Sequence, residues 1–131
     1  IIMMSEFKVD FSDSKLKDEI AMPENVAPRV WAAIIHFADI FLGCDSLGQH
    51  LAYAMDSKAV VVTGATFPIN VSFPDEPKFD ILDMGELTRE YDPIRIFPDE
   101  RVNRANENIM NMTDDITTLV VDHVLGKKDD S

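Results

Sequence analysis

The run Ala59-Val60-Val61-Val62-Thr63 constrains the fold more than any other stretch of this chain. It is β-branched and apolar, with no alternation of polar and apolar positions. A strand with one wet face alternates, whereas a strand covered on both faces does not. This run therefore predicts a central strand of a parallel sheet, ended by Gly64. A shorter apolar run, Ile40-Phe41-Leu42-Gly43, lies upstream and reads as a second buried strand. Between them, Ser46 to Met55 carries Leu47, Leu51, Ala54 and Met55 at helical spacing. Strand, helix and strand in so short a span form a βαβ unit. The expectation is an α/β domain, Rossmann-like and three-layered, with a mainly parallel sheet of about four to six strands.

The flanking segments fit this plan. Ala27, Val30, Trp31, Ile34, Ile35 and Ala38 make one helical stripe. Asn25 is placed to cap that helix, Pro28 suits its first turn, and the helix reads as well buried with Trp31 in the core. Residues 5–25 read as loop with one short strand or helical turn. Ile1 to Met4 reads as the end of a buried strand. Prolines punctuate residues 68–98, where only Phe79 to Leu82 looks like a further strand. Arg101 to Met112 can form a helix. The last helix is clearer: Thr113 caps it, Asp114 and Asp115 suit its N-terminus, and Gly126 stops it before Lys127 and Lys128.

Charge and cysteine usage narrow the function. The 131 residues carry 12 Lys and Arg against 24 Asp and Glu, a net charge of -12. Such a surface repels nucleic acid and anionic membranes. A small anionic ligand is still compatible, because backbone N–H groups hold phosphate without basic side chains. Cys44 is the single cysteine, so no internal disulfide forms, and a reducing, cytoplasmic setting is expected. No apolar stretch approaches the length of a transmembrane helix, about 20 residues. His36, His50 and His123 form no close ligand pair, so no metal site is expected. The chain reads as one domain, residues 1–131, of a longer protein.

The chemistry concentrates in Gly43-Cys44-Asp45-Ser46-Leu47-Gly48-Gln49-His50. This segment joins a strand end to a helix start, the edge where parallel α/β sheets bind ligands. The first N–H groups of the helix, at Leu47, Gly48 and Gln49, have no intrahelical partner and carry the positive end of the helix dipole. Gly48 leaves room for close approach of a ligand. Ser46 either caps the helix or donates to a phosphate oxygen, and His50 lies one turn in. Asp45 and Ser46 also read as plain capping residues, and His50 as a packed or surface histidine. The loop Thr63-Gly64-Ala65-Thr66 leaves the second strand at the same edge and supplies a second wall.

The segments Ala38-Asp39-Ile40-Phe41-Leu42-Gly43-Cys44-Asp45-Ser46 and His50-Leu51-Ala52-Tyr53-Ala54 resemble a known signature. It belongs to the ADP-heptose:lipopolysaccharide heptosyltransferase-like glycosyltransferases. The hydrophobic strand and the Gly64-Ala65-Thr66-Phe67-Pro68 loop match its continuation. Residues 27–70 carry the resemblance. One position departs from it: Leu47 stands where the family has glycine, with Gly48 one step later. The resemblance implies the C-terminal, donor-binding half of a GT-B fold. It implies a nucleotide diphosphate sugar as ligand, an ADP-sugar in particular, and no further cofactor. Asp45 would contact the sugar or order the loop, Ser46 and the following N–H groups would hold the diphosphate, and His50 would support it. Thr63, Gly64 and Thr66 complete the implied site. The catalytic base would belong to an N-terminal domain that these residues do not include, so this chain alone would not carry out transfer. The alternative is a non-catalytic binding or structural module on the same fold.

Overall fold

The computed structural model describes residues 1–5, 7–87 and 111–127. The apolar run at 59–63 forms the middle strand β2, Ala59–Thr63, and all five of its residues are buried. Strand β1, Phe41–Cys44, lies on one side and strand β3, Phe79–Asp83, on the other. Both pair parallel with β2, with Gly43 opposite Val61 and Val61 opposite Ile81. Helix α1, Pro28–Phe37, precedes β1. Helix α2, Leu47–Ala54, connects β1 to β2, which completes the expected βαβ unit. A single turn, α3, Pro68–Val71, lies between β2 and β3. Helix α4, Asp114–Val124, closes the described chain.

Side chains of β2 alternate between two cores. Ala59 and Val61 pack with Ile35 of α1, Ala52 of α2 and Phe79 of β3. Val60 and Val62 face the other way and pack with Leu82 and with Val120 of α4. Helices thus cover both faces of a parallel sheet, and the domain is a three-layered, Rossmann-like α/β fold. Three strands lie among the described residues. Helix α4 is anchored twice more. His123 Nδ1 donates to Asp80 Oδ2 on β3 at 2.6 Å. The Thr113 hydroxyl accepts from Ile116 N at 3.4 Å, as its position in sequence predicted. Gly126, at φ 72°, ends the helix: Lys127 N donates back to Asp122 O at 2.8 Å. Lys128 lies outside the described residues, as do residues 101–110 of the helix expected over Arg101 to Met112. Asn111 and Met112 are not helical.

Several expectations need correction. Strand β1 is not buried throughout. Among the described strands it lies at the edge, its burial alternates, and Leu42 is 49% exposed. Helix α1 is not well buried either: Ile35 alone of its residues is buried, Trp31 is half-buried, and Phe37 is 85% exposed. The stripe lies chiefly against α2, and Ile35 reaches the core formed by Ala59, Val61 and Phe79. Asn25 does not cap α1. Ala27 holds the cap position, and Asn25 sits in the left-handed region at φ 53°. Ile1 to Met4 forms only an isolated bridge, Ile2 to Ala21, with Ile1 and Ile2 exposed. Residues 17–19 supply the helical turn expected in the N-terminal stretch. No described helix is long and apolar enough to cross a membrane.

Candidate functional site

The topology brings two loops to one rim. Strands β1 and β2 are parallel neighbours, so the Asp45-Ser46 turn and the loop from Gly64 to Phe67 both leave at their carboxyl ends. Helix α2 starts directly at this rim. Ser46, at φ -156° and ψ 179°, holds its N-cap position, and no side chain caps the helix. Asp45, Ser46 and Leu47 are exposed, while Gly48 and Gln49 are buried. The first turn is therefore open on its Ser46–Leu47 side and closed on its Gly48–Gln49 side.

The face that apolar spacing suggested is buried only in part: Leu51 packs on the core and Met55 is half-buried, while Leu47 and Ala54 are exposed. Leu47 is 48% exposed, and the buried positions are Gly48, Gln49 and Ala52. Phe41 explains the rotation. A Cβ built at Gly48 would stand 2.5 Å from Phe41 Cζ, and one built at Gly43 would collide with the same ring. The phenyl ring lies between two glycines, one on β1 and one on α2. The room that Gly48 leaves is thus filled by Phe41.

Gln49 is fully buried. Its Nε2 donates to Asp45 Oδ1 and to the Val71 carbonyl, each at 2.9 Å. Two acceptors on one nitrogen fix the orientation of the amide. Its oxygen, Oε1, is buried with no partner among the described residues. Thr63 Oγ1 and Ser72 Oγ share that condition. Thr63 lies on the side of β2 that faces α2, by alternation from Ala59 and Val61. Three orphaned polar atoms thus belong to elements that meet below the first turn of α2. Buried polar atoms of this kind are ordinarily satisfied by a partner.

The other expected residues are distributed as follows. His50 is exposed and meets Phe73 edge-on, with ring centroids 5.5 Å apart. Phe73 also stacks on Tyr53 at 3.9 Å, and both meet Phe79 edge-on. His50 therefore borders an aromatic cluster. Gly64 is buried and Thr66 exposed. Phe41, Val71 and Ser72 were not expected at the site. In sequence Phe41 reads simply as a strand residue, and Val71 and Ser72 sit in the proline-punctuated stretch, where spacing carries no signal. Two cavities, of about 190 and 710 Å³, lie elsewhere, and neither borders residues 45–50. Cys44 is free and exposed at the end of β1. Among the described residues no group of three or more His, Cys, Asp or Glu could hold a metal ion. No protein-family model, curated protein or solved structure matches this chain.

Proposed function

We propose that this chain is the nucleotide-sugar-binding domain of a two-domain, heptosyltransferase-like glycosyltransferase working in the cytoplasm. The observation that carries the reading is the uncapped first turn of α2, set at the carboxyl rim of a parallel sheet beside the loop after β2. A diphosphate at Ser46 and Leu47 would meet unpaired N–H groups and the positive end of the helix. The Ser46 hydroxyl would donate to a phosphate oxygen. Thr66 and the Gly64 backbone would form the opposite wall. The Asp45 carboxylate would accept from a sugar hydroxyl with the oxygen that Gln49 leaves free. In the full enzyme a base on the other domain would deprotonate an acceptor hydroxyl, which displaces the nucleoside diphosphate with inversion. Helix α2 would stabilise the charge growing on the leaving group.

Titration with ADP, UDP and GDP, read by amide chemical shifts, tests this reading. The expected result is saturable perturbation confined to residues 45–50 and 63–66, strongest for ADP. Absence of perturbation with all three nucleotides would end the proposal.

One observation favours a second reading, a non-catalytic module. The Asp45–Gln49–Val71 hydrogen bonds tie the turn to α3, which is a structural task, and the Asp45 charge repels phosphate. Under that reading all three nucleotides leave the spectrum unchanged, and replacing Asp45 or Gln49 affects stability alone.

A further inference from the structure

We propose that the open edge of β1 receives an added β-strand from a partner: an extended, apolar segment flanked by lysine or arginine. Strand β1 pairs only with β2 among the described strands. Phe41 N donates to Lys58 O at 2.9 Å, so Phe41 turns its backbone toward β2. Backbone direction alternates along a parallel strand, so Leu42 and Cys44 aim N–H and C=O outward. Neither has a backbone partner on that side among the described residues. An edge left in this state is a template for strand addition.

The surroundings specify the occupant. A groove of about 710 Å³ runs along this edge. Ile34 and Ile35 of α1 line it on the α1–α2 face of the sheet, Val124 of α4 lines it from the opposite face, and the chain's own Ile1 to Met4 form a further apolar wall. Ile40 and the half-exposed Leu42 form its floor. An added strand would point alternate side chains to the two faces, and both are apolar. Its sequence must then be continuously apolar, as in β2. The charge at the ends is acidic: Asp39 lines the groove, and exposed Asp45 lies just beyond β1. They are six positions apart, about 20 Å of extended chain.

This charge pattern disfavours a second copy as occupant. Two chains paired antiparallel about Leu42 would set Asp39 of each opposite Asp45 of the other. Like charges directly opposite are destabilising, and the chain carries a net charge of -12. Basic residues at those two positions would instead find carboxylates.

The test uses the full chain and a peptide of alternating valine and isoleucine between two lysines, with a glutamate-flanked peptide as control. Amide exchange at Leu42 and Cys44 is expected to slow at least tenfold with the lysine peptide and not with the glutamate peptide. Asp39→Lys should weaken binding of the lysine peptide about tenfold. Leu42→Pro removes an outward N–H, a change that edge strands tolerate; it should abolish binding while circular dichroism stays native. Three results would overturn the proposal: equal binding or no binding of both peptides, protection of these amides in the dilute free chain, or the same protection arising from a concentration-dependent dimer.

Discussion

Replacing Gly48 by alanine separates the packing role of this glycine from any role in ligand approach. The added Cβ would stand 2.5 Å from Phe41 Cζ and 2.8 Å from Cε2. Carbon atoms pack at about 3.5–4.0 Å, so the overlap is near an ångström. The ring cannot retreat toward β1, because Gly43 already faces the same Cζ. It must leave its place among partly buried residues packed on the core. Overpacking of this sort costs about 2 kcal/mol. Gly48 is the second residue of α2, so alanine there regains less than the roughly 1 kcal/mol it gains over glycine in a helix interior. The net expectation is a loss of about 1–2 kcal/mol by those two terms. Phe41→Leu removes Cε2 and Cζ, and in that background only the helix gain survives. There Gly48→Ala should stabilise by a few tenths to about 1 kcal/mol, a reversal of sign. Urea unfolding followed by far-UV circular dichroism on the four proteins of this cycle reads the effect directly. If Gly48→Ala stabilises the parent chain, or changes both backgrounds equally, the ring-between-glycines account is refuted. Loss of ADP perturbation in both backgrounds would assign the glycine to the ligand instead.

The remaining predictions concern the tie at α2 and the ends of α4. Gln49→Leu strips the donor from Asp45 Oδ1 and Val71 O and should cost about 2 kcal/mol in urea unfolding. Gln49→Glu should cost more, since it buries a charge beside Asp45; equal stability of the two variants would show that Gln49 serves mainly as filler. Thr113→Ala removes the N-cap acceptor and should cost about 1 kcal/mol, seen as a lower urea midpoint at unchanged slope. Gly126→Ala meets no steric neighbour, yet its φ of 72° should cost about 1 kcal/mol. Thermal melts of that variant against Gly126→Asn, which tolerates the left-handed region better, separate backbone strain from lost packing. Val61→Ala, in a fully buried site, should cost about 2 kcal/mol by the same urea assay.

The sequence by itself determined the layer architecture. Val60, Val61 and Val62 could only belong to a strand covered on both faces, and the βαβ order followed from the spacing of the runs around it. Capping chemistry was equally local, so Thr113 and Gly126 marked α4 correctly. The rim position of residues 45–50 also followed, because parallel neighbours expose the same end. Only the tertiary structure decided which side of α2 is buried. Apolar spacing pointed to Leu47, Leu51, Ala54 and Met55, of which Leu51 does pack on the core, but the aromatic ring of Phe41 required a residue without a side chain above it and turned Gly48 inward. Gln49 then became buried, and its amide found partners four and 22 residues away. The second of these is a pairing that no local pattern encodes. The exposure of β1 is nonlocal in the same sense. An apolar run states that a strand prefers cover on both faces, while its neighbours in the sheet decide whether it sits in the middle or at the edge.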